Sequence, residues 1–251
     1  MRATAVLTPP MSKRLIAKGV AALPQVMAAL DRGRIVVTLG TTNAYVAEEL
    51  LSEGIDRGAF AAGFIDDRWN INARLGEVGE IVLDHGRPVE TSPDETLASL
   101  AAGDVVLKGG NALDPEGTVG VLMGASTGGT VGRYVATCLA RGIELVAPIS
   151  LSKSVHTSIV ELSREMGIGQ ASLSMGLPCG IFPLHAHVIT ELDALEVLFP
   201  VRAVHVASGG VGSGAASVSL LIEGEESAVR DAFALAQSLR DEVDVELSGR
   251  A

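Results

Sequence analysis

Three continuous apolar runs, each delivered into a turn of small polar residues, constrain the fold of this chain most. Residues 34–39 (RIVVTL) end in Gly40-Thr41-Thr42-Asn43, residues 104–107 (DVVL) in Lys108-Gly109-Gly110-Asn111, and residues 143–149 (IELVAPI) in Ser150-Leu151-Ser152-Lys153-Ser154. A strand that faces water on one side alternates polar and apolar residues, whereas a strand covered on both faces loses the alternation. Helix-period segments precede, separate and follow these runs, over residues 11–31 (interrupted at Pro24), 44–52, 132–141 and, as turn plus helix, 150–166. Weaker strands are predicted over residues 60–65 and 80–83, with a turn at 84–87. Alternation of strand and helix predicts an α/β fold with a Rossmann-like, mostly parallel sheet and helices on both faces.

The tail changes character near residue 177. Leu177-Pro178-Cys179-Gly180-Ile181-Phe182-Pro183 reads as a turn-rich strand, followed by a helix over 188–198 and a strand over 201–207. A glycine- and serine-rich loop (208–216), a strand (217–222), a helix (225–240) and a terminal strand (243–247) complete it. A helix between antiparallel strand pairs predicts a small ferredoxin-like α+β subdomain. The expected division is therefore a main domain over 1–176 and a small subdomain over 177–251.

Charge and cysteine usage exclude several functions. The net charge of −11, with no basic run longer than Lys13-Arg14, argues against a nucleic-acid interface and against anionic membranes. It does not exclude an anionic ligand, because the local field in a cleft can oppose the global sign. Cys138 and Cys179 lack CxxC spacing and are too few for a disulfide framework, which fits a reduced, cytoplasmic compartment. No apolar run reaches membrane-spanning length, and the N-terminus reads as a mature helix rather than a leader. Aromatics are only 3% of the chain, so the core must be built from Val, Leu, Ala and Ile.

The turns after the apolar runs are where chemistry is expected. Glycine lets backbone N–H groups converge on an anion, and a neighbouring lysine adds a point charge. Gly40-Thr41-Thr42-Asn43 reads either as such an anion turn or as a βα turn with a polar cap. Lys108 follows an apolar strand directly, an awkward place for a merely solvated lysine. Ser126-Thr127-Gly128-Gly129-Thr130 could cradle a phosphate at a helix start, or serve tight helix–strand packing. Asp114 and Glu116 flank Pro115 and are the acidic candidates for moving a proton, or an ordinary surface turn. Ser150-Leu151-Ser152-Lys153-Ser154 after a strand carries the same two readings, an anion turn or serine caps with a solvated Lys153. His185 and His187, with His156 and His205, lack the acidic or cysteine partners of a metal set, so no metal is assigned. No G-x-G-x-x-G fingerprint with its ribose-binding acid occurs, so no redox cofactor is expected.

Three segments carry a resemblance. Thr38-Leu39-Gly40-Thr41-Thr42-Asn43 resembles the phosphate-contacting turn of A-type ribose-5-phosphate isomerases. Lys108-Gly109-Gly110-Asn111-Ala112-Leu113 is similar to that family's K-G-G-G-A-L segment, and Leu177–Pro183 to its L-P-V-E-V-I-P segment. The family's D-G-A-D-E segment has no clean equivalent; Ile65-Asp66-Asp67 is a substitute, and Glu116 stands one residue short of the family's later acidic position. The stretch 110–120 also looks like a pattern of the wider superfamily. That group includes glucosamine-6-phosphate deaminases, methylthioribose-phosphate isomerases, translation initiation factor 2B subunits and coenzyme A transferases.

The resemblance implies an isomerase-type enzyme that acts by proton transfer on a small phosphorylated, sugar-derived substrate, and no cofactor is expected. Phosphate would rest on Gly40, Thr41, Thr42 and Asn43 and on Ser126, Thr127, Gly128, Gly129 and Thr130, beside Gly109, Gly110 and Asn111. Lys108 would stabilise developing negative charge, and Glu116, with Asp114 as rival, would carry the proton. Two alternatives stay open: coenzyme A transfer with Glu116 as nucleophile, and a non-catalytic phosphometabolite sensor. A homo-oligomer is expected.

Overall fold

The computed structural model describes residues 1–66 and 78–247. The chain opens with strand β1 (Arg2–Leu7), helices α1 (Pro9–Ala21) and α2 (Pro24–Arg32), strand β2 (Arg34–Val37) and helix α3 (Thr41–Leu51). Strands β3 (Ile81–Asp84) and β4 (Arg87–Val89), helix α4 (Pro93–Ser99), and strands β5 (Val105–Leu107), β6 (Ala112–Leu113) and β7 (Val119–Met123) follow. Next come α5 (Gly129–Arg141), β8 (Glu144–Pro148), a 3-10 turn (Leu151–Lys153) and α6 (Ile159–Glu165). Strands β9 (Gly180–Leu184) and β10 (His187–Ile189), α7 (Glu191–Leu198), β11 (Val201–Gly209), β12 (Ser217–Gly224) and α8 (Glu226–Ser238) end the described elements.

The molecule is a mixed α/β protein built on a six-stranded, mostly parallel sheet of order β10-β8-β5-β2-β3-β4. The β10–β8, β8–β5 and β5–β2 pairs are parallel, and the β2–β3 and β3–β4 pairs antiparallel. Val36 stands opposite Val106 and Val82, and Val106 opposite Leu145, all buried in one continuous apolar core. Full burial of β2 and β5 explains why their sequences lose alternation. Two three-stranded antiparallel sheets complete the fold, β1-β12-β11 and β6-β7-β9.

The 11–31 segment breaks where expected, because Pro24 has no N–H to donate and opens α2. Three local expectations need correction. Residues 60–65 leave a turn at Phe60 as an irregular loop rather than a strand; the Phe60 carbonyl accepts from the Gly40 N–H and the Gly63 carbonyl from Asn111 Nδ2. The 188–198 helix starts later: Val188 and Ile189 pair with β8, and the capping box of Thr190 and Asp193 sets the start of α7. Residues 243–247 make no strand, since the Val243 carbonyl is taken by Tyr45 Oη and by Arg57 Nη1, both at 2.7 Å. The third strand beside β11 and β12 is β1, from the other end of the chain. Strand β10, beyond residue 177, belongs to the six-stranded sheet.

Candidate functional site

Loops that leave the carboxyl ends of adjacent parallel strands diverge around open space, and ligands of open α/β sheets bind there. Here β2 leads into Leu39–Asn43, β5 into Lys108–Asn111, and β8 into residues 149–155. These loops line one cleft of about 1050 Å³. Residues 62–66, the end of β7, the start of α5 and, from far along the chain, Lys13, Asp244, Val245 and Leu247 contribute the remaining wall.

Helices α3 and α5 both begin on the cleft. Each is preceded by glycine, Gly40 and Gly128, and no side-chain cap hydrogen bond closes either start. By contrast α4 and α7 begin off the cleft with complete capping boxes. Gly128 holds φ at 77°, a left-handed conformation that glycine adopts without strain. Uncapped first-turn N–H groups carry the positive end of the helix dipole, which suits an anion.

Lys108 and Lys153 are half-buried in the wall, and each ammonium rests on a loop carbonyl. Lys108 Nζ donates to the Gly109 carbonyl at 3.0 Å, and Lys153 Nζ to the Gly110 carbonyl at 2.7 Å. Two cations thus sit on consecutive carbonyls of one turn. Burial lowers the Lys108 ammonium to about 8, with the Glu80 carboxylate opposing the shift. Lys153 is also lowered to about 8, first by burial and then by repulsion from Lys13 and Lys108, which Glu191 opposes. Glu191 is itself fully buried, accepting from Ser150 Oγ at 2.5 Å and from the Leu151 N–H at 2.9 Å. Lys13 pairs with Asp244 at 2.5 Å.

Asn43 adds an acceptor. Its Nδ2 donates to the carbonyls of Thr38 (2.9 Å) and Leu107 (3.2 Å), which fixes the amide orientation. Its Oδ1 is then left fully buried, without a hydrogen-bond partner among the described residues. The position a Cβ on Gly109 would occupy lies 3.9 Å from that oxygen, so the glycine keeps the approach open. A buried acceptor without a partner is rare in native proteins and fits a ligand hydroxyl.

Gly40, Thr41, Thr42, Asn43, Lys108, Gly109, Gly110, Asn111, Gly128, Gly129 and Thr130 all line the cleft. Asn111 spends its amide on the Gly63 carbonyl and the Leu122 N–H, so its part is to shape the wall. Ser126 and Thr127 are exposed and lie outside the cleft lining. Neither acidic candidate of the β6–β7 turn is in the cleft. Glu116 is exposed on that turn. Asp114 is buried, accepting from the Thr118 N–H at 2.7 Å and from the Ile159 N–H at 2.9 Å, which fixes the turn and the start of α6. The carboxylates that do line the cleft are Asp66 and Asp244; Asp67 lies outside the described residues.

Sequence reasoning missed Lys153, Lys13 and Glu80. Lys153 carried a readable signal, because Ile149-Ser150-Leu151-Ser152-Lys153 repeats the plan of an apolar strand delivering a lysine. Glu80 precedes β3, antiparallel to β2, so it emerges at the edge where β2 ends; it accepts from Tyr134 Oη at 2.5 Å and Arg133 Nη1 at 3.3 Å. Among the described residues no group of three or more His, Cys, Asp or Glu side chains could hold a metal ion, and no helix is long and apolar enough to cross a membrane. In comparisons with known proteins, no family model, no curated protein and no solved structure matches this chain.

Proposed function

We propose that this cleft binds a small phosphorylated, hydroxylated carbonyl compound and moves a proton next to its carbonyl, as an isomerase-type enzyme does. The observation that carries the reading is the pair of half-buried ammoniums, Lys108 and Lys153, on consecutive carbonyls between the uncapped starts of α3 and α5. Phosphate lies on the backbone N–H groups of Gly40–Asn43 and Gly128–Thr130, and Asn43 Oδ1 accepts from a substrate hydroxyl. Lys108 stabilises the negative charge that builds on the carbonyl oxygen as the proton leaves. The proton-moving role passes from Glu116, which is outside the cleft, to Asp66, which lines it. Coenzyme A transfer, which assigned its nucleophile to Glu116, is not carried further.

A cytoplasmic setting, self-association, a Rossmann-like assignment for the six-stranded sheet and a ferredoxin-like one for the sheet beneath α8 belong to the same reading. The test is incubation with a panel of sugar phosphates in deuterated water. Solvent deuterium entering a carbon-bound position of one of them is the expected result. Binding without exchange would make the protein a sensor, and neither binding nor exchange would remove the reading.

A further inference from the structure

The chain contains four lysines against fifteen arginines, and three of the four lysines, Lys13, Lys108 and Lys153, line the one cleft. The fourth, Lys18, pairs with Glu49 at 3.2 Å away from the cleft lining. Arginine supplies permanent positive charge and does so nearly everywhere else in this protein, in pairs with Glu48, Asp84 and Glu223 among others. What lysine offers and arginine does not is an amine that can lose its proton and attack carbon. Gathering three of the four lysines in the cleft points to amine chemistry as well as charge.

The two central lysines are not equivalent. Glu80 favours the charged form of Lys108. Lys153 faces Lys13 and Lys108, whose repulsion outweighs the attraction of Glu191, and the Glu191 carboxylate is already committed to Ser150 Oγ and the Leu151 N–H. One lysine beside another cation, in a partly desolvated wall, is an arrangement that activates the less supported amine.

We infer that Lys153 is the nucleophilic amine of the cleft and forms an imine with the carbonyl carbon of a phosphorylated aldehyde or ketone. The inference rests on the proposed function above and names the bond by which that substrate class is held. In the first step the neutral Nζ of Lys153 forms a C–N bond, and the π pair of the carbonyl moves onto oxygen beside the Lys108 ammonium. The proton lost by the attacking nitrogen passes to the oxygen, Lys108 gives it a second, and it leaves as water while the nitrogen lone pair forms the protonated C=N bond; hydrolysis later returns the Lys108 proton. The protonated imine takes up the electron pair when an adjacent C–H gives its proton to Asp66, and the resulting enamine returns to imine when that proton is restored. Water hydrolyses the imine and releases the amine, so no redox partner is consumed.

The test uses pyridoxal 5′-phosphate purely as a phosphorylated aldehyde probe on the full chain, followed by borohydride reduction and peptide mapping. With only four lysines the map is simple. The expected result is reduced adduct at Lys153, at least tenfold faster than with unphosphorylated pyridoxal, and slowed by millimolar inorganic phosphate. Lys153→Met should abolish the cleft adduct while the variant keeps a cooperative melting transition and the circular dichroism of the parent. Adduct at Lys108 or Lys18 in place of Lys153 overturns the inference. If phosphate raises the melting temperature of the parent but Lys153 stays unlabelled, the inference fails and the phosphate cleft stands. If phosphate neither protects nor stabilises the parent, the cleft reading fails and takes the inference with it.

Discussion

At the scale of single residues the cleft holds amines that the fold would be more stable without. A lysine lowered from 10.5 to about 8 means that the folded chain releases a proton which the unfolded chain keeps. Below pH 8 both states are protonated, and the burden of two half-buried ammoniums is fully present. Between about pH 8 and 10.5 the unfolded state binds more protons, so stability rises with pH in that window. The parent should therefore gain on Lys153→Met in urea midpoint as pH is raised from 7.5 to 10; a constant gap would contradict the assigned burial. A second expectation concerns the proton carrier. Asp66→Asn should depress turnover by a factor of about 10² or more, whereas Glu116→Gln should leave it within about twofold. The reverse pattern, read from initial rates on whichever sugar phosphate shows exchange, would return the role to the β6–β7 turn.

At the scale of elements, what positions the cleft is close packing of helices behind it. Helix α1 packs on both α3 and α7. Gly19 makes the second contact possible, because a Cβ there would stand 2.5 Å from the Cβ of Ala194. Gly19→Ala should cost about 1–3 kcal/mol by overpacking, measured by urea denaturation, and Ala194→Gly added to it should not restore the parent midpoint, because the new Cβ would still stand 2.6 Å from the Ala194 Cα. An unchanged midpoint for Gly19→Ala would show that the two helices can part freely. Element starts were legible where the signal is local. Residues 34–43 and 104–111 read as strand and turn because burial on both faces writes itself into a continuous apolar run. The end of β10 and the start of α7 did not, because Val188 and Ile189 suit a helix as well as a strand until the partner strand β8 is known. Only the capping box at Thr190 marks the boundary locally.

At the scale of the whole molecule the cleft is closed by contacts that no local pattern can foretell. Lys13 meets Asp244 across 231 positions of sequence, and the Met1 amine donates to the Gly224 carbonyl across 223. The terminal segment is held by Arg14 and Arg57, both bonded to Glu242 and both stacked on the Tyr45 ring, at 4.9 and 4.0 Å. Pairings of this length explain why β1 was not foreseen and the tail was misread, while the strands β2 and β5 and the loops after them were read from local sequence. The net charge of −11 likewise hides a cleft in which three of the four lysines gather. The central claim is that this cleft is an anion site built around Lys108. Its most direct test is the melting temperature of the parent and of Lys108→Met in phosphate against chloride at matched ionic strength. The account predicts a rise of about 5 °C or more for the parent at phosphate concentrations well above its dissociation constant, and loss of most of that rise in the variant. No rise in the parent, or an equal rise in both proteins, would contradict it.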